Sequence, residues 1–197
     1  MKILSFALLL TAAMAFVLPG CSDNAAPIVA PTDQGAPLKV EAPLAKMIMT
    51  HFTGIEHPTG LVDPGVSKLE DGKMIVNGLV ITASWEEGFE NFPLVKGTLV
   101  IHANVRLDVT TGEGLEYGTC KVTPDPPVTG VWECRWEGYR HRVGESAWAA
   151  KLEGVGYGKG GTVHGMKLFL KEVIHTFDLQ GAKPYTGDVQ GTIRSHW

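Results

Sequence analysis

Three polar residues fall on strand faces whose other members are apolar. Asn77 lies among Ile75, Leu79 and Ile81, and His164 and Glu172 lie around Met166, Leu168 and Leu170. If those strands close into a barrel, the three converge in a dry lumen. There a carboxyl, an imidazole or an amide can hold hydrogen bonds or move a proton, because burial shifts protonation equilibria. Asn77, His164 and Glu172 are therefore the candidate acid–base groups. The competing reading places His164 and Glu172 at solvated strand ends, where most charged side chains are found. Three tryptophans, Trp132, Trp136 and Trp148, share an inward face with glycines. They suit either a core plug packed against small neighbours or the walls of an apolar ligand cavity.

Other chemistry is excluded by spacing. Gly156 to Gly161 (GYGKGG) has the letters of a dinucleotide fingerprint, but it ends a strand and has no acidic residue about 20 positions on. The P-loop pattern fails because Gly160 follows Lys159. The seven histidines, among them His51, His57, His141 and His196, have no ligand spacing, and neither a HExxH helix nor a GxSxG elbow occurs. No metal and no cofactor is expected. A formal net charge of -4 argues against a nucleic-acid partner, which calls for clustered Lys and Arg.

Cys120 and Cys134 lie symmetrically about Pro127, in the middle of a turn-forming stretch. A hairpin folded there sets the cysteines opposite one another and pairs Val122 with Trp132, Gly118 with Trp136, and Lys121 with Glu133. Apolar residues then share one face and opposite charges meet on the other. In an oxidising compartment the register suits a disulfide, which by closing this loop would add roughly 3 kcal/mol in the chain-entropy model. Two buried free thiols are the alternative.

The elements that must position these groups occupy only part of the 197 residues. Residues 1–20 read as a leader: Lys2, an apolar run from Ile3 to Leu18, then Leu18-Pro19-Gly20-Cys21. The run is short of the roughly 20 residues a membrane span needs. It resembles a bacterial lipoprotein signal, although Pro19 stands where that family usually has a small non-cyclic residue. The resemblance implies cleavage before Cys21, a lipid on its thiol, export, and attachment to the cell envelope through that lipid. Residues 21–46, with Pro27, Pro31, Pro37 and Pro43, read as an extended linker.

Residues 47–197 are the size of one domain and carry strand signals separated by turns. The expected strands are 47–56, 74–85, 97–109, 115–123, 131–139, 147–157, 162–173 and 188–196. Alternation is clearest in Gly97 to Val109, where Leu99, Ile101, Ala103, Val105, Leu107 and Val109 share the expected core face. Over Met166 to Phe177 a helical stripe competes with the strand. The expected fold is all-β, a single antiparallel barrel of about eight strands.

The order of signals resembles bacterial proteins with an allene oxide cyclase-like or dirigent-like barrel. The residues that carry the likeness are Lys96-Gly97-Thr98, Asn104, Gly114 to Thr119, Gly130 to Glu133, Trp136-Glu137-Gly138 and the glycines from Gly154 to Gly165, within about 66–192. The resemblance implies an eight-stranded barrel with an apolar lumen, and it carries over no catalytic residue. Two functions follow as expectations. One is an envelope-anchored, non-catalytic barrel binding a small apolar ligand or an envelope partner, with a purely structural surface role as its limiting case. The other is a cyclase- or isomerase-like enzyme that uses the lumen.

Overall fold

The computed structural model describes residues 47–144, 147–175 and 185–196. The leader, Cys21 and the linker lie outside the described residues. The strands are β1 (Met47–Asp63), β2 (Val66–Glu70), β3 (Lys73–Trp85), β4 (Gly97–Asp108), β5 (Gly114–Pro124), β6 (Val131–Arg142), β7 (Trp148–Lys159), β8 (Lys167–His175) and β9 (Thr186–His196). All neighbours are antiparallel, in the order β1-β9-β8-β7-β6-β5-β4-β3-β2, and β1 also pairs with β3. That last pairing, from Glu56 opposite Trp85 to Asp63 opposite Val80, closes an eight-stranded barrel and leaves β2 as an added edge strand.

Burial follows the alternation of the sequence. In β4 every residue from Gly97 to Leu107 at odd positions is buried, because successive side chains of a strand point to opposite faces. The β5–β6 hairpin has the expected register, with Cys120 opposite Cys134, Val122 opposite Trp132, Gly118 opposite Trp136 and Lys121 opposite Glu133. Residues 167–175 form strand rather than helix. The segment before them departs from expectation: Gly161–Val163 is a 3-10 turn, so β8 starts at Lys167 instead of 162.

Two further differences have local causes. β2 exists because Asp71 and Gly72 both take positive φ, 49° and 72°, the backbone of a two-residue hairpin turn between Glu70 and Lys73. In β3 the pairing with β4 slips between Val76 and Leu79, around Gly78. The Gly78 N–H donates to the outward-facing Asn104 Oδ1 at 3.1 Å, which holds this bulge in place.

One end of the barrel is plugged. The β3–β4 connection, 86–96, folds Phe89, Phe92, Leu94 and Val95 against Trp85, Phe52 and Trp132. Trp85 stacks on Phe89 with ring centroids 5.3 Å apart. The Trp132 indole N–H donates to the Leu94 carbonyl at 2.7 Å, which satisfies the one polar atom of a fully buried side chain.

Candidate functional site

Above the plug the barrel encloses a cavity of about 200 Å³, toward the end where β4–β5, β6–β7 and β8–β9 connect. Its apolar wall includes Ile81, Leu99, Ile101, Leu152, Leu170 and Ile174. The same inner face carries three buried carboxyls, Glu56, Glu116 and Glu172, together with Arg140 and Tyr185.

Each charged group arrives on a strand whose inward positions are otherwise apolar or glycine, and Tyr185 stands just ahead of β9. Arg140 of β6 pairs across the ladder with Gly114, and Glu116 of β5 pairs with Gly138. The guanidinium and the carboxylate are thus diagonal neighbours, and they form an ion pair. Burial pushes the Glu116 carboxyl up and Arg140 opposes that shift. Burial likewise pushes Arg140 down, opposed by Glu116.

Glu56 of β1 accepts two hydrogen bonds, from Trp85 Nε1–H at 2.9 Å and from the Tyr185 hydroxyl at 3.0 Å. Its carboxyl is raised by burial, and both bonds oppose the shift. Tyr185 is raised by burial and then by the charges of Glu56 and Glu172, so its hydroxyl stays a donor.

Glu172 of β8 is differently placed. A side chain at Gly187 would collide with it, because a Cβ built there comes within 1.9 Å of Glu172 Oε1. The carboxyl therefore occupies the space that Gly187 leaves empty. Gly187 is the ladder partner of Glu56, and directly opposed positions lie about 5 Å apart. The fold thus brings the two carboxyls into the same region of the lumen. Glu172 Oε1 meets no hydrogen-bond partner among the described residues. Burial, followed by the charges of Glu56 and Glu116, holds the Glu172 carboxyl well above the usual range. Both effects favour its protonated form, which can donate a hydrogen bond or a proton.

The sign of the resulting pH dependence is fixed. The folded state keeps the Glu172 proton through the interval, above the ordinary carboxyl range, in which the unfolded chain has lost it. Stability falls with rising pH there, by up to about 1.4 kcal/mol per unit. Glu172→Gln removes that slope. Its melting temperature relative to wild type is therefore expected to rise steadily from pH 5 to pH 7 in thermal unfolding, and a constant difference would contradict the assignment.

The other residues expected from sequence lie elsewhere. Asn77 is exposed in the β3 bulge, opposite Val66 of β2. The one-residue slip turns Val76, rather than Asn77, toward the inner face beside Val105. His164 is exposed just after the 3-10 turn. Trp132 belongs to the plug, and Trp148 packs by Gly112 with the Arg142 guanidinium 5.7 Å from its ring. Trp136 alone of the three tryptophans lines the cavity.

Cys120 and Cys134 are opposed as expected, but they are free buried thiols and the expected disulfide is not formed. The hydrogen bond with Cys134, and then burial, push the Cys120 thiol well up, so it is a poor nucleophile. Gly156 makes room for the Cys134 Sγ, which lies 2.6 Å from a Cβ built there.

Glu56, Glu116, Arg140 and Tyr185 escaped the sequence reading. Glu116 and Arg140 share the parity of the cysteine hairpin's inner face, two and four residues from positions already assigned inward, and that signal could have found them. Glu56 is two residues from Gly54, whose Cβ would strike Phe89. A second concavity opens on the outer wall, lined by Phe169, Val155, His51 and Arg135 and reaching in to Trp136 and Leu170; Lys167 and Arg194 lie 4.8 and 4.5 Å from the Phe169 ring.

No family model matches the chain, and neither a curated protein nor a solved structure matches it.

Proposed function

We propose that this chain is an envelope-anchored barrel, exported and held by a lipid on Cys21, that binds a small and largely apolar ligand in its lumen. The observation that carries the reading is the cavity: about 200 Å³ of apolar space with an unpartnered carboxylic acid in its wall. It lies below the roughly 300 Å³ at which drug-sized sites begin. A dry cavity of about 150 Å³ accepts benzene, so a single-ring or short-chain molecule fits. The allene oxide cyclase-like or dirigent-like resemblance supports the same use of the barrel interior.

Thermal unfolding with single-ring fragments such as toluene and benzyl alcohol tests the reading. A bound fragment is expected to stabilise with the logarithm of its concentration, by about 2.7 kcal/mol at a concentration 100 times its Kd. Absence of a shift across such fragments would overturn it. A second reading, acid–base catalysis on an apolar substrate in the manner of a cyclase or isomerase, is favoured by one observation. Burial and the charge of Glu56 push the Glu172 carboxyl up, and raising a carboxyl in this way is how a site readies a proton donor.

A further inference from the structure

We propose that the polar group of the lumen ligand is a protonated amine, seated between the carboxyls of Glu56 and Glu172. This rests on the lumen-binding reading above and specifies its ligand. The lining holds three carboxyls and one guanidinium, and that guanidinium is engaged by Glu116. Glu56 and Glu172 are brought together across Gly187 with no Lys or Arg between them among the lining residues. Glu172 Oε1, on a residue only 6% exposed, meets no donor among the described residues.

An ammonium carries three N–H donors. One reaches Glu172 Oε1, and another can share Glu56, whose carboxylate has lone pairs beyond those taken by Trp85 and Tyr185. The ammonium bridges the two carboxyls and so offsets its own desolvation. The apolar walls then select an amine on a hydrophobic body.

Proton release is the consequence that can be read. The groups facing Glu172 are Glu56 from β1, Glu116 and Cys120 from β5, Arg140 from β6 and Tyr185 ahead of β9; β3, β4 and β7 bring only apolar side chains and the Trp85 indole to the lumen. Seating an ammonium against Glu172 drives off its proton, so amine affinity rises with pH, by at most about tenfold per unit. A neutral acceptor, held by the protonated acid, binds more weakly as pH rises.

Isothermal titration of the full chain with benzylamine, benzyl alcohol and benzoate at pH 6, 7 and 8 tests this, in buffers of different ionisation enthalpy. Benzylamine is expected to bind at least about tenfold tighter than benzyl alcohol at pH 8, a difference of about 1.4 kcal/mol. It should gain affinity from pH 6 to pH 8 and release about one proton. Glu172→Gln is expected to remove the proton release and most of the preference for the amine while still binding benzyl alcohol. Equal affinity of amine and alcohol, or amine affinity that is flat or falls with pH, overturns the amine and leaves lumen binding standing. Failure of all three probes to bind overturns both. The wild-type comparison decides the matter even if the variant does not fold.

Discussion

Replacing Arg140 with methionine is expected to lower the unfolding free energy by about 3–5 kcal/mol, because it leaves the Glu116 carboxyl buried without its cation. The side chains of this pair are 12% and 8% exposed, so water cannot take over the role of the guanidinium. Glu116 has one escape, which is to bind a proton, and that route is easier in acid. The loss should therefore grow as pH rises. Urea unfolding at pH 5 and pH 8 measures both the magnitude and the trend. Adding Glu116→Leu to the variant should recover most of the stability, since an apolar pair of similar volume often replaces a buried ion pair at little cost. A single variant as stable as wild type would mean that the pair is not buried in solution.

Trp132→Ala is expected to cost about 3–5 kcal/mol for different reasons. The ring is fully buried among Val122, Leu99, Val95 and Val163 in the plug, and its removal opens a cavity that rigid strands cannot collapse around. It also strips the Leu94 carbonyl of its donor. Trp132→Phe keeps most of the ring and loses the hydrogen bond, at about 1–3 kcal/mol. Chemical denaturation of the two variants separates packing from hydrogen bonding. Neither substitution touches the cavity lining, so the Phe variant should bind lumen ligands as wild type does.

The contrast between Trp132 and Trp136 shows where a sequence stops informing. Both lie inward on β6, four residues apart, in equivalent patterns. One is plug and the other is cavity wall only because the β3–β4 connection folds over the first, a contact between segments that no local period records. The β5–β6 register, by contrast, was readable because the turn, the cysteine pair, the tryptophan–small pairs and the Lys121–Glu133 pair all agree on it.

The candidate carboxyls divide in the same way. Glu172 was legible because it keeps strict parity with Leu168 and Leu170 in an unbroken strand. Asn77 misled because a bulge shifts parity by one and reverses every face assignment beyond it. The Asp71-Gly72 turn that creates β2 was present in the sequence as a hairpin signal. Arg140 fell outside the expected strand 131–139, because the apolar pattern fades before the backbone pairing does; β6 runs on to Arg142. The meeting of Glu56 with Glu172 depends on β1 closing against β9 and on the missing side chain of Gly187, and no spacing in the chain announces it.

The most direct measurement of lumen binding is where a bound ring sits. With isotope-labelled protein and benzyl alcohol, intermolecular NOEs are predicted to Ile101, Leu152 and Ile174 inside the barrel. NOEs confined to Phe169 and Val155 on the outer wall would contradict the account.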